Sequence, residues 1–444
     1  MGGEDAESLR AEISRLQQRV EMLEQKLADR DRVPVRSAAA EDLRSAYTTH
    51  GLDSYQVCRY SRQLLVPAFG IAGQEKLLSS SILVIGCGGL GSSAALYLAA
   101  AGVGVLGLVD RDTVELNNLH RQIIHSEEAI GTSKVRSAAT SCRRINSSLS
   151  ILEFPNGFSA DNALEIVRKF DVVVDATDNL PSRYLISDAC VVARKPLVSG
   201  AALGLDGQLT VYNHKNGPCY RCLFPLPPPQ SACQRCSDSG VLGVVPGIIG
   251  SLEALEAIKL ASGIGEPLSS RMLIFDATLG RFQNIKLRAK NPSCVACGDN
   301  PEITEANFHN MNYEEFTGVA MTDEAPVRKQ VVSLSNSLSC LELRKRIEEK
   351  VPHVLLDVRD EHQYAISALP QSTNIPLSQL QKNSQELRDI ILDDEKMPVF
   401  VICRRGNSSQ EAVELLRNSG VNALDVTGGL EAWSREVDSK FPLY

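Results

Sequence analysis

Three groups of residues in this chain have the types and spacing to do chemistry. The first follows the apolar run Ser81–Ile85. A turn carries Gly86, Gly88 and Gly91, an Ala/Leu-rich stretch follows, and a second apolar run ends at Asp110. Glycines there let the backbone approach a phosphate, a helix N-terminus faces its charge, and Asp110 can accept the two hydroxyls of a ribose. Asn117, Asn118 and Arg121 come next, then Lys134, then Asp178 and Asn179. Arg121 and Lys134 supply cations for phosphate oxygens. A carboxylate such as Asp178 suits magnesium, which takes hard oxygen donors together with substrate phosphates. Singly, the cations could be solvated surface groups and Asp178 a helix cap. Their joint occurrence in this order makes a nucleotide site.

The second group is three C-x-x-C pairs, Cys219/Cys222, Cys233/Cys236 and Cys294/Cys297. Two such pairs brought together form a tetrahedral thiolate site for zinc. Spacing alone does not choose which two, and proximity in the chain favours Cys233/Cys236 as partner of the first. The third group is VICRRGNSSQEA, which sets Cys403 at the end of an apolar strand before a helix. Such a loop turns backbone N–H groups and a helix N-terminus toward one sulfur and stabilises a persulfide anion. Arg404 and Arg405 add positive potential. A phosphatase loop needs arginine six residues after the cysteine, and this chain has Ser409 there.

The elements that must position these groups follow from pattern. From Asp53 to about Asn300, apolar strands alternate with helical stretches. The strands are near Ile82–Gly86, Val105–Asp110, Val172–Asp175, Pro196–Gly200, Gln208–Tyr212 and Met272–Asp276. That alternation predicts a doubly wound, mostly parallel Rossmann-like α/β sheet, with the later strands antiparallel at one edge. Residues 301–329 are polar and aperiodic and read as a linker. A smaller α/β unit over 330–444 is large enough to fold alone. At the other end, Leu9, Ile13, Leu16, Val20, Leu23 and Leu27 form an a/d heptad stripe within 1–30, either a zipper or a helix packed on its own protein. Residues 31–52 read as a linker.

Composition narrows the classes. Of the 444 residues, 43% are hydrophobic and 23% charged, as in ordinary water-soluble domains. The net charge of −8 offers no basic field, so no direct nucleic-acid partner is expected. The uncharged run from Leu77 to Val109 is long enough to span a bilayer, but its glycines fall in two clusters that break it into strand, helix and strand. No membrane association is expected. Twelve cysteines and a polar, acidic start without a secretory h-region point to the reducing cytosol.

Five motifs carry a resemblance: RYSRQ (59–63), GCGGLG (86–91), VDRDTVELNNLHRQ (109–122), GTSK (131–134) and ATDN (176–179). Together they resemble the ubiquitin-activating-type adenylyltransferases over about 53–300. The resemblance implies that Gly89, Asp110, Asn117, Asn118, Leu119, His120, Arg121, Lys134, Asp178 and Asn179 bind ATP and Mg2+. It implies that Arg62 reaches the triphosphate of a partner subunit in a homodimer. It assigns Zn2+ to Cys219, Cys222, Cys294 and Cys297, and places Cys236 where a cysteine attacks the acyl-adenylate. Cys233 is then a bystander or a disulfide partner of Cys236.

The Cys403 loop, LLDVRDEHQYAISALPQSTNIP (355–376) and GGLEAW (428–433) resemble a rhodanese domain. Many relatives have Gly-His before Ile-Pro, where this chain has Ser367, Ala368 and Leu369. The fusion resembles eukaryotic molybdenum-cofactor-synthesis enzymes that join adenylyltransferase to sulfurtransferase. It implies two small ubiquitin-like sulfur carriers, the molybdopterin synthase small subunit and the ubiquitin-related modifier that serves wobble-uridine thiolation of tRNA. A cysteine desulfurase or other sulfurtransferase would load Cys403. An activating enzyme that passes a modifier on as a thioester would leave the rhodanese domain without a task. A relict scaffold would have lost Arg62, Lys134 or Asp178. An NAD-dependent oxidoreductase would leave Asn117–Arg121 and the cysteine pairs unexplained.

Overall fold

The computed structural model describes residues 19, 49–229, 240–321, 332–383 and 397–444. The heptad stripe, Cys233 and Cys236 lie outside the described residues.

The larger unit is built on one eight-stranded sheet in the order β3-β2-β1-β4-β5-β6-β7-β8. Its strands are β1 (Ser81–Ile85), β2 (Val105–Val109), β3 (Ser150–Phe154), β4 (Val172–Asp175), β5 (Leu197–Leu203), β6 (Asp206–Tyr212), β7 (Arg271–Asp276) and β8 (Arg281–Lys286). β1 to β5 pair in parallel, and β5 to β8 pair antiparallel. The central strands are short β-branched runs buried on both faces, which is what a sheet covered by helices requires.

Two core layers result. Leu77, Leu98, Ala138 and Ile249 lie in one, and Phe170, Tyr184, Leu185 and Phe308 in the other. The helix Gly89–Ala101 begins directly on the glycine turn, and the helix Val244–Ser262 packs against it. Gly250 makes that packing close, since a Cβ there would overlap the carbonyl oxygen of Leu90.

The sequence reading of 301–329 as linker differs from the structure up to Met321. A 3-10 turn, Phe308–Asn310, and a helix, Tyr313–Thr317, bring Ile303, Phe308 and Tyr313 into the second core layer. Phe316 covers the Arg221 guanidinium at 4.4 Å, with Tyr184 at 4.9 Å from the same group. Arg221 itself forks onto buried Asp188 at 2.9 and 3.0 Å. Isolated aromatic anchors carry this segment, so it leaves no periodic trace.

The smaller unit has a wholly parallel sheet, β11-β10-β12-β13-β9. Its strands are β9 (Ser337–Leu338), β10 (Val354–Asp357), β11 (Thr373–Asn374), β12 (Val399–Ile402) and β13 (Ala423–Val426). The amphipathic helix Ser408–Asn418 packs on β13 and β12 and turns Ala412, Val413 and Leu416 into the core. No helix of the described residues is long and apolar enough to cross a membrane.

Candidate active site and metal centre

A cavity of about 690 Å³ opens at the carboxyl ends of β1, β2 and β4. Parallel sheets place ligands there, because the strand-to-helix turns converge on that edge. Gly86 sits at φ +98°, a backbone shape that favours glycine, and a Cβ on Gly91 would overlap the carbonyl oxygen of Gly86. The turn therefore closes tightly enough to leave the helix N-terminus at the cavity floor. Gly89, Asp110, Asn118, Arg121, Lys134, Asp178 and Asn179 all line this space.

Backbone amides fix the acid at the end of β2. Asp110 Oδ2 accepts from the Cys87 amide at 2.8 Å and Oδ1 from the Asp112 amide at 2.9 Å. Burial pushes its pKa up from the ordinary carboxylate value, and the Lys134 charge opposes this. Lys134 Nζ donates to Asp112 Oδ2 at 2.8 Å. Burial lowers the Lys134 pKa, but Asp110, Asp112 and, to a lesser degree, Asp178 outweigh it and hold the group above the ordinary lysine value. A buried ammonium that stays charged is the group a phosphate needs.

Asn179, not Asp178, caps the next helix: its Oδ1 accepts from the Ser182 amide at 3.0 Å. Asp178 remains exposed on the cavity wall.

Asn117, Leu119 and His120 do not line the cavity. Two of them brace neighbours that do. Asn117 Oδ1 accepts from Asn118 Nδ2 at 2.6 Å, and the Asn117 carbonyl accepts from Arg121 at 2.8 Å. The His120 ring lies 2.8 Å from the same guanidinium. Burial and then the Arg121 charge lower the His120 pKa.

Arg62 is exposed and outside the cavity. Its RYSRQ neighbours are committed within the chain. Arg59 donates to the Ile145 carbonyl at 2.6 Å, Tyr60 is buried, and Gln63 donates to Gln74 at 2.7 Å.

Arg183 escaped sequence reasoning. Four residues beyond Asn179 on the same helix, it lines the cavity and donates to the Thr177 and Gly200 carbonyls at 2.8 and 3.0 Å. The spacing from Asn179 was the available signal.

The sulfurs of Cys219, Cys222, Cys294 and Cys297 all lie within 4.8 Å of one another. Cys219 and Cys222 are 3.8 Å apart, Cys219 and Cys294 3.6 Å, and Cys222 and Cys297 3.3 Å. Zinc–sulfur bonds of about 2.3 Å in a tetrahedron put sulfurs about 3.8 Å apart, so this donor set fits zinc. The Asn291 amide donates to Cys222 Sγ at 3.3 Å, a bond that stabilises a thiolate. Proximity in the chain had favoured Cys233/Cys236 as partner of the first pair; folding instead brings in the distant Cys294/Cys297.

Cys403 lies buried at the end of β12. The Gly406 amide donates to its sulfur at 3.1 Å and the Ser409 amide at 3.4 Å. The thiol lies 3.3 Å from Ser409 Oγ, which donates to buried Asp425 Oδ1 at 2.6 Å. Asp425, on β13, was not visible as a site residue in the sequence. Glu431 pairs with both Arg404 and Arg405, at 3.2 and 2.8 Å, and so offsets part of the expected positive field. Arg359 forks onto Asp357 and donates to Tyr444 Oη at 2.9 Å, while the Arg404 guanidinium stacks 5.0 Å from the Tyr444 ring. Ser367, in the departure from the usual Gly-His pattern, offers its carbonyl to Arg359 at 2.6 Å. The variant segment is thus tied to the packed arginine and not to the sulfur.

A nucleotide cleft on an open α/β sheet, followed by a parallel domain that rings one cysteine with amide donors, defines an enzyme class that couples adenylyl transfer to sulfur handling. The chain belongs to the ThiF family, whose model matches residues 60–296, and a rhodanese-like domain model matches residues 339–436. It is similar to an adenylyltransferase and sulfurtransferase, MOCS3-1, of Zea mays, 57% identical over 88% of this chain and 84% of that protein. MOCS3 of Arabidopsis thaliana is 51% identical over 99% of this chain and 97% of its own length. MOCS3 of Mus musculus is 43% identical over 99% of each. The chain is accordingly an enzyme with adenylyltransferase and sulfurtransferase activities, and it uses ATP.

Proposed function

We propose that this enzyme adenylates the C-terminal glycine of small ubiquitin-like sulfur carriers and then converts that carboxylate to a thiocarboxylate. The carriers are the molybdopterin synthase small subunit and the ubiquitin-related modifier for tRNA thiolation. The observation that carries the proposal is the presence in one chain of both the cationic nucleotide cavity and the amide-ringed Cys403.

In the first step a carrier carboxylate oxygen attacks the α-phosphorus of ATP, the α–β phosphoanhydride breaks, and pyrophosphate leaves. Lys134 and Arg121 neutralise phosphate oxygens, Asp110 takes the ribose, and Asp178 is the residue that would hold Mg2+. That ion supplies further neutralisation of phosphate charge. Positioning and charge neutralisation account for most of the rate. In the second step the terminal sulfur of a Cys403 persulfide attacks the acyl carbon and AMP leaves. The resulting acyl disulfide opens when a thiol attacks the Cys403 sulfur, which releases the thiocarboxylate. Cys236 is the proposed resolving thiol, or alternatively a transient thioester carrier.

Zinc at the four cysteines is proposed as structural. A homodimer is supported by Arg62, which stands outside its own cavity. It is supported also by the exposed apolar groups Leu116, Ile123, Leu242 and Val244. The Leu242–Val244 segment lies against the backbone at His120, since a Cβ on Gly243 would overlap the carbonyl oxygen of His120. A cysteine desulfurase or another sulfurtransferase as donor, and a cytosolic location, complete the reading. The test separates the two activities. Asp178→Ala is expected to abolish carrier-dependent ATP–pyrophosphate exchange and leave thiosulfate sulfur transfer at Cys403 intact. Loss of both activities together would contradict the assignment.

A further inference from the structure

The cavity has a wall that the ThiF match does not include. The match ends at residue 296, yet Val319 and Met321 line the nucleotide cavity. The chain is fixed up to that point by Phe308 and Tyr313 in the core and by Phe316 on Arg221. Two polar contacts hold its last described residue: the Met321 amide donates to Glu314 Oε1 at 2.6 Å within the segment, and Arg111 donates from a terminal nitrogen to the Met321 carbonyl at 2.7 Å, across 210 residues. Arg111 directly follows Asp110, and Gly157 lies against its side chain, where a Cβ would stand 3.1 Å from Arg111 Cβ. Phe158, Val319 and Met321 thus line the cavity together with Arg111.

A nucleotide is an ordered string of base, ribose and phosphates. With phosphates at Gly88, Gly89 and Arg121 and the ribose on Asp110, the base extends past Asp110 toward Arg111, Phe158, Val319 and Met321. The apolar side chains of Phe158, Val319 and Met321 suit the faces of a purine. We propose that Arg111 is a positioning residue that holds residues 319–321 as part of the wall around the nucleotide base. ATP binding and the seating of residues 319–321 therefore stabilise each other reciprocally. This inference rests on the nucleotide reading of the cavity.

The experiment uses the full chain and a non-hydrolysable ATP analogue, with amide hydrogen exchange as readout. In the wild type, saturating analogue should slow exchange both at 86–91 and at 313–321. In Arg111→Ala the second protection should be lost. The KM for ATP in carrier-dependent pyrophosphate exchange should rise about tenfold or more, the cost of one charged hydrogen bond, with kcat within about twofold. Arg111→Lys should recover part of the KM, and thiosulfate sulfur transfer at Cys403 should not change. Protection at 86–91 without any at 313–321 would overturn the inference while sparing the nucleotide site. Protection at neither segment would sink the nucleotide reading and the inference with it. If Arg111→Ala does not fold, the wild-type exchange pattern still decides.

Discussion

Gly406→Ala tests whether amide donors, rather than the cysteine alone, make the sulfur site work. Gly406 has φ +81°, and a Cβ there would stand 2.8 Å from the Gly428 nitrogen, a backbone atom that cannot swing aside. Left-handed backbone costs an alanine roughly 1–2 kcal/mol, and the contact adds to that. The loop relieves both by rotating, which withdraws the Gly406 amide from Cys403 Sγ, now 3.1 Å away. A hydrogen bond to a charged acceptor is worth about 1.5–3 kcal/mol, so the rate of persulfide formation from thiosulfate should fall roughly 10- to 150-fold. The assay is sulfur transfer from thiosulfate to cyanide, run beside carrier-dependent pyrophosphate exchange. The exchange rate should stay at the wild-type level, because no adenylation residue has moved. A folded variant with sulfur transfer within twofold of wild type would refute the argument.

Other expectations follow from the buried groups. Glu253 lies fully buried, with its carboxyl close to Gly200; burial and then the Asp175 charge push its pKa well above the ordinary glutamate value, against the pull of Arg183. A carboxyl with a raised folded pKa contributes stability below its unfolded pKa and loses it as pH rises through the folded value. The Tm of Glu253→Gln relative to wild type should therefore climb between acid and alkaline pH, and a pH-independent difference would contradict the buried-acid reading. The purified protein should hold one zinc per chain by elemental analysis. Cys294→Ser should lose that zinc and lower the Tm of the adenylation domain, whereas retention of a full equivalent would disprove the four-cysteine cage.

Legibility in the sequence followed burial and locality. β1, β2 and β4 showed as apolar runs because helices cover both their faces. β3 and β8 did not, since β3 is a partly exposed edge strand carrying Glu153 and every residue of β8 is exposed. β9 and β11 are two-residue strands, too short for any period. The glycine turn and the Cys403 loop were readable because their chemistry lies within a dozen residues. Arg111 against Met321, and Ser409 against Asp425, join residues that only folding brings together. Arg62 was readable as a motif member, but its exposure outside the cavity required the structure.

The most direct test weighs the carrier. Purified enzyme is incubated with ATP, magnesium, thiosulfate, a dithiol reductant and a carrier ending in Gly-Gly, and the carrier's intact mass is measured. The account predicts the gain of one sulfur-for-oxygen exchange, absent without ATP and absent with either Asp178→Ala or Cys403→Ala. An unchanged carrier mass with active wild-type enzyme, or sulfur gained by the Cys403→Ala enzyme, would contradict it.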